Sequence, residues 1–138
     1  MDWKLELVVL PVSDVDRAKT FYMETAGFTM DVDHRAGDFR IVQLTPPGSA
    51  CSITIMRNAE AATPIKGLHL VVPDIDAARA ELVGRGMEVS DVFHFGPGGQ
   101  VPGPDPERGD YGSYLSFDDP DGNGWLVQEV RSRGKSTR

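Results

Sequence analysis

The sequence predicts an α+β domain made of two tandem copies of a strand-helix-strand-strand-strand unit, and three observations predict it. A 60-residue offset aligns Val12, Asp14, Val15, Asp16, Ala18 and Tyr22 with Val72, Asp74, Ile75, Asp76, Ala78 and Leu82. Apolar residues recur at helical spacing after each acidic cap, whereas the flanking runs are β-rich and separated by turn residues. Glycine and proline are unevenly spread, taking nine of the fourteen positions from Gly96 to Gly109 but only three of residues 1 to 45. The second copy therefore carries a long loop that the first lacks.

In module one, residues 3–60, a strand over Leu5 to Val12 leads to Ser13 or Asp14 as helix cap. Val15, Ala18, Tyr22 and Ala26 follow at spacings of 3, 4 and 4, and Gly27 ends the helix. Strands are expected over Phe28 to Asp33, Phe39 to Leu44 and Cys51 to Arg57. Module two, residues 64–130, repeats the plan: a strand over Leu68 to Val72, Asp74 as cap, Ile75, Ala78 and Leu82 on the helix, and a stop at Gly84 or Gly86. Its later strands are expected over Met87 to Phe95, Tyr111 to Phe117 and Gly124 to Val130, with the Gly/Pro-rich loop as a lid and residues 131–138 as a basic, frayed tail.

Length and composition narrow the function classes. At 138 residues the chain is one domain, and 40% hydrophobic with 25% charged residues is ordinary for a globular protein. No apolar run is long enough to cross a bilayer, and the first residues lack a signal-peptide pattern, so a cytoplasmic protein is expected. The single Cys51 excludes an internal disulfide and a thiolate cluster, leaving a small packing residue. Four of the 14 bases lie in the last eight positions, so residues 1 to 130 hold 10 bases against 21 acids, a charge of -11. A body that acidic repels phosphate backbones, and nucleic acid is not an expected partner.

Val12-Ser13-Asp14 leads into a helix holding Phe21-Tyr22 and ending at Gly27-Phe28, the 60-residue repeat follows, and Asp119-Pro120-Asp121-Gly122-Asn123 precedes the last strand. With these features the chain resembles the vicinal oxygen chelate superfamily, the glyoxalase, bleomycin-resistance and extradiol-dioxygenase group. The resemblance covers residues 5 to 130. It implies paired βαβββ modules whose eight strands form a curved mixed sheet, a cup around a small-molecule site, often in a homodimer. It also implies metal ligands on the first and last strands of each module. The matching positions are Leu7, Gly67 and Leu126, with Thr54 alone offering an oxygen at the end of module one. Leu and Gly side chains carry no donor, so no metal and no cofactor is expected, a displaced divalent ion being the alternative.

The candidate site residues follow from strand parity. His69, two places beyond Gly67, and Gln128, two beyond Leu126, share the cup-facing side. His69 is a ligand contact, or is satisfied by a backbone carbonyl or a buried water. His94 faces opposite to Phe93 and Phe95, and alternation leaves open which of them lines the cup. Glu129 has the opposite parity to Gln128, so His69, His94 and Glu129 do not converge on an ion. His34 stands at a polar turn and is solvated. Phe93, Phe95, Tyr111, Tyr114, Phe117 and Trp125 border the long loop, where flat side chains suit a planar ligand. Tyr114 brings a hydroxyl; Trp125 is either core or an apolar contact.

Other chemistries find less support. Asp119, Asp121 and Asn123 start like a calcium loop, but position twelve is Val130, and a turn with Asp side chains accepting backbone N–H bonds explains them. Ser113 and Ser116 have no nucleophile elbow, Cys51 has no activating His, and Gly96-Pro97-Gly98-Gly99 has no following Lys-Ser/Thr. The expected function is a metal-independent binding protein that sequesters or senses a compact, partly aromatic or cationic ligand through His69, Gln128, Tyr114, Trp125, Phe93 and His94. The rival is a lyase, isomerase or dioxygenase using a displaced metal or His69 as acid/base. A third class is a structural or regulatory partner domain pairing through its sheet edges.

Overall fold

The computed structural model describes residues 1–57 and 64–135 and divides into two compact units, 1–65 with 119–123, and 66–118 with 124–138. The first unit contains β1 (Leu7–Val12), α1 (Val15–Thr20) continuing into a π-helical turn (Phe21–Thr25), β2 (Thr29–Ala36), β3 (Phe39–Thr45) and β4 (Ser52–Arg57). Its sheet has the order β1-β4-β3-β2, with β1 and β4 parallel and the other pairs antiparallel. The second unit contains β5 (Leu68–Val72), α2 (Ile75–Gly84), β6 (Phe93–Gly96), β7 (Gly99–Pro102), β8 (Tyr114–Asp118) and β9 (Gly124–Glu129). Its order is β5-β9-β8-β6-β7, again with the outer first strand parallel to the last. The first copy has the α+β, strand-helix-three-strand plan that the repeat predicts, and the second has the same plan with one strand added, β7.

The acidic caps start both helices. Asp14 accepts from the Arg17 N–H at 3.0 Å, and Asp74 accepts from Asp76 and Ala77 at 3.0 and 3.1 Å. Each satisfies N–H groups that a first turn leaves without a carbonyl, an arrangement worth about 1 kcal/mol. Ala18, Tyr22 and Ala26 are buried against the first sheet, and Ile75 and Leu82 against the second. The first helix changes pitch at Phe21: Ala26 N–H reaches back five residues to Phe21 O at 2.9 Å, and Gly27, at φ +81°, ends it.

The wide turn lets the Tyr22 hydroxyl, wholly buried, donate to Asp119 Oδ2 at 2.7 Å. Asp119 Oδ1 in turn accepts from the N–H groups of Asp121 and Asn123, both at 2.9 Å, and Gly122 adopts φ +82°. The Asp-rich motif is thus a turn closed on its own backbone, as its residue types suggest. Asn123 donates to Pro11 O and accepts from the Ile65 N–H, which places the segment within the first unit.

Three expected elements differ. Met87 to Phe95 forms a strand only from Phe93; before it, Met87 N–H turns back to Leu82 O at 3.0 Å and Ser90 N–H to Ser116 O. The Gly/Pro-rich loop is not all loop, because Gly96 pairs with Gly99 and a ninth strand, β7, leaves along β6. The strand expected from Tyr111 starts at Tyr114, since Tyr111 itself is left-handed at φ +66°. Of the tail, Arg131–Lys135 forms a 3₁₀ helix, and residues 136–138, like 58–60 at the end of module one, lie outside the described residues. No described helix is long and apolar enough to cross a membrane.

Candidate functional site: an aromatic pocket beside a strapped loop

Alternation sets the two faces of the second sheet. Leu115 and Phe117 on β8, and Trp125, Val127 and Glu129 on β9, are buried; Tyr114, Ser116, Leu126 and Gln128 are half-buried on the other side. Register aligns Val71, Gln128, Tyr114 and Phe93 in one row across β5, β9, β8 and β6, and His69, Leu126 and Ser116 in the next. His69, Gln128, Tyr114 and Phe93 therefore share a face. Trp125 does not: it is 4% exposed and stacked on Phe117, with centroids 5.9 Å apart, in the core.

The shared face carries an aromatic cluster. Phe93 stacks on Tyr114 at 5.8 Å, and Phe95 meets Phe93 and Tyr114 edge-on at 5.6 and 5.3 Å. Gln128 Nε2 donates to the Tyr114 hydroxyl at 3.2 Å, and that hydroxyl donates to Tyr111 O at 2.9 Å. The ring is thus held by a neighbour on each side. A pocket of about 240 Å³ opens here, lined by His94, Phe95, Asp105, Tyr111, Gly112 and Tyr114. Phe95 and Tyr111 remain 55% and 54% exposed, an apolar area left to water at the pocket's rim.

The two histidines are both tied to backbone. His69 is exposed, with Nδ1 at 2.7 Å from Gly67 O; a carbonyl only accepts, so Nδ1 carries a proton, and in the neutral ring the lone pair is on Nε2. His94 has parity opposite to Phe93 and Phe95, and its Nδ1 donates to Gly103 O at 2.8 Å, where the loop leaves β7. His34 is exposed on β2.

Sequence reasoning missed the loop itself as a built object. Between β7 and β8, residues 103 to 113 form a strap organised by Asp105. Its carboxylate accepts from the N–H groups of Glu107 and Gly109 at 3.2 and 3.0 Å, and its own N–H donates to the buried Ser113 Oγ at 2.9 Å. Gly112 is required: a Cβ there would lie 2.5 Å from Asp105 Oδ2. The strap is then pinned by Arg108, whose Nε and Nη2 reach Glu129 Oε1 and Oε2 at 3.1 and 2.6 Å. Burial pushes the wholly enclosed Glu129 carboxyl up, but Arg108, the Ile75 N–H at 2.9 Å and the charge of Arg131 together hold it below its ordinary value. The signal available in the sequence was Pro104-Asp105-Pro106, a turn-former between two rigid residues.

The first unit offers different chemistry. On its face opposite α1, Thr45 Oγ1 donates to Asp31 Oδ2 and lies 2.6 Å from Ser52 Oγ, with the buried Thr54 one row on. A larger cleft of about 640 Å³ lies by the β2–β3 hairpin, but it is polar, and Arg40 on its wall is already taken by Asp33 and Asp16. Among the described residues no three His, Cys, Asp or Glu are grouped to hold a metal ion, and Leu7, Gly67 and Leu126, where the resemblance implies ligands, have side chains without a donor.

A family model of the Glyoxalase/Bleomycin resistance protein/Dioxygenase superfamily matches residues 4–127. The chain belongs to this superfamily. Among solved structures, it is 30% identical to TnmS3, an antibiotic binding protein from Streptomyces sp. CB03234, over 94% of this chain and 97% of that one, with a TM-score of 0.72. A glyoxalase/bleomycin resistance protein from the same Streptomyces is 31% identical over 91% and 100%, TM-score 0.69. A superfamily member from Sphaerobacter thermophilus DSM 20745 is 26% identical over 93% and 98%, TM-score 0.70. No curated protein matches the chain. For a superfamily that hosts both enzymes and binders, the residues of the pocket have to carry the functional argument.

Proposed function

We propose that this superfamily member is a metal-independent binding protein that sequesters or senses a compact aromatic, cationic molecule of the antibiotic class. The observation that carries it is the pocket lined by Phe95, Tyr111 and Tyr114 together with the acidic Asp105. Aromatic faces attract a cation by their quadrupole, and the acidic body adds a long-range pull of the same sign. The likeness to a protein named as antibiotic-binding supports the same reading. Gln128 and Tyr114 orient the ring wall, Phe93 supplies the stack beneath it, and a homodimer in the cytoplasm is part of the proposal.

Calorimetric titration with a panel of aromatic cations tests it. Saturable binding, weakened at least tenfold in Tyr111→Ala, is expected; the reading fails if no member of the panel binds. Light scattering of the free protein should give twice the monomer mass.

A second reading rests on the exposed His69, where a proton held on Nδ1 leaves Nε2 of the neutral ring as the nitrogen that could act as a base. It requires an activity that disappears in His69→Ala with the fold intact. Elemental analysis of protein purified without chelator checks the metal-free premise of both readings, and a stoichiometric transition-metal signal would overturn it.

A further inference from the structure

We infer that Arg108 is the latch of a two-state strap: inserted between Glu129 and Asp76, it holds residues 103 to 113 in the conformation that completes the aromatic pocket, and so sets ligand affinity without touching ligand. The inference rests on the pocket reading above and adds a positioning residue to it.

Arg108 does not line the pocket, but Asp105, Tyr111 and Gly112 of the same strap do. The connection runs through Glu129. Its side chain takes the guanidinium, while its backbone carbonyl accepts from the Tyr111 N–H at 2.8 Å. Tyr111 O then accepts the Tyr114 hydroxyl, so the latch and the pocket wall share one residue. Arg108 and Tyr111 are the two non-glycine residues with positive φ among those described, at +48° and +66°. Such conformations persist only where surrounding contacts over-determine them, and here the bidentate pair and the Tyr111 N–H bond do so.

The strap has what a second state needs. Its inner turn is closed on itself through Asp105, including the Arg108 N–H to Asp105 O bond at 2.8 Å, so it moves as a preformed body. Gly103, at φ +90°, and Gly112 stand at its ends. When Arg108 withdraws, Glu129 keeps the Ile75 N–H, and the guanidinium stays near Asp76, 3.3 Å away and largely exposed. Glu129 Oε1 loses its partner in that step and regains one from water only once the strap has lifted, so the buried pair favours the closed state. Opening also relieves both left-handed residues and takes the Tyr111 wall away from Tyr114.

Hydrogen exchange on the full chain, comparing the wild type with Arg108→Gln and Arg108→Lys, tests the latch without any ligand. Amides of Gly109 and Tyr111 should exchange at least tenfold faster in Arg108→Gln, those of Leu115 and Val127 at the wild-type rate, with Arg108→Lys between. Unchanged exchange in the strap overturns the latch, and so does an equal rise throughout the second unit, which would mark a merely structural role. Titration with phenyltrimethylammonium is the second arm: about tenfold weaker binding by Arg108→Gln is expected. Equal affinity in wild type and variant, with the strap exchange raised, overturns the control of affinity. No binding to the wild type overturns the pocket reading instead, and exchange alone then decides the latch.

Discussion

In the first copy Arg40 lies on β3, donates to both oxygens of Asp33 at 3.0 and 2.9 Å, and reaches Asp16 at 2.6 Å. In the second, Arg108 lies on the strap, donates to both oxygens of Glu129 at 3.1 and 2.6 Å, and reaches Asp76 at 3.3 Å. Asp16 and Asp76 are equivalent under the 60-residue repeat, each the second residue of its helix. Both copies thus tie a carboxylate to the first turn of a helix with one arginine. The settings differ in two respects. Arg40 and Asp33 sit opposite regular ladder partners, Arg35 and Val42, and Asp33 keeps 23% of its side-chain exposure. Glu129 keeps none, and Arg108 is on irregular backbone that the ladder does not hold. The first pair decorates a sheet that stands without it. The second ties an irregular segment to β9 and to α2, beside the Tyr111 N–H bond to Glu129 O.

Replacing the two carboxylates should give the largest contrast. Glu129→Gln takes the wholly buried carboxylate away from the Arg108 fork, a loss of about 3 kcal/mol by the cost of breaking buried pairs. Asp33→Asn, at the half-exposed pair, should cost about 1 kcal/mol or less. Urea midpoints of the two variants measure this directly. Equal midpoints would mean that burial does not separate the two pairs.

Acid should act on both copies in the same direction. Arg40 and then Lys19, by hydrogen bonding, hold Asp33 well below the usual carboxylate range, and Glu129 is held below its ordinary value. A depressed folded value means a contribution present above the unfolded value and lost as pH falls through the folded one. Stability should therefore be flat from about pH 7 to 5 and fall below about 4.5, with Asp74, Asp76, Arg108 and Arg131 the charged groups around Glu129. The fall should be shallower in Glu129→Gln, measured by urea unfolding at pH 3.5 and 6. An unchanged slope would show that Glu129 titrates alike in folded and unfolded chains.

Glycines separate the connections of the two copies by a smaller amount. Gly37, at φ +62° between Ala36 and Phe39, has open space where a Cβ would be, so Gly37→Ala should cost about 1 kcal/mol from backbone conformation alone. Gly112 has no positive φ, but its Cβ would strike Asp105. Gly112→Ala should cost about as much in urea while altering the strap, which Gly37→Ala leaves intact; limited proteolysis between 103 and 113 distinguishes them.

Much of the fold was readable because it rests on local chemistry repeated twice. Asp14 and Asp74 before apolar residues at helical spacing are both caps, and Asp119-Pro120-Asp121-Gly122-Asn123 closes on its own amides. Strand parity also placed His69 and Gln128 on one face and Glu129 on the other, and the register adds Tyr114 to the first. The strap was not readable, since its shape depends on a partner 21 residues away: nothing near Arg108 marks it for Glu129, nor Tyr111 for a left-handed backbone. Likewise, the β7 strand hides in a run whose Gly96, Pro97, Gly98 and Gly99 read as loop, because β6 supplies its pairing. Parity could assign Trp125 a face only through Leu126, and its stacking on Phe117 needed the sheet register.

The finest test of the contrast is one in which stability and site come apart. Tyr111 is strained by φ +66° but exposes 54% of its surface, so its ring contributes little to the core. Asparagine tolerates the left-handed region better than an aromatic residue does. Tyr111→Asn keeps the backbone N–H that reaches Glu129 O and the carbonyl that accepts the Tyr114 hydroxyl. Its stability should therefore lie within about 0.5 kcal/mol of the wild type, the relieved strain offsetting the lost apolar contact. Binding of an aromatic cation should nonetheless weaken tenfold or more, because one wall of the pocket is gone while the latch remains closed. A variant that loses stability and binding together would instead make Tyr111 part of what holds the strap, and the division of labour between Arg108 and the aromatic wall would have to be redrawn.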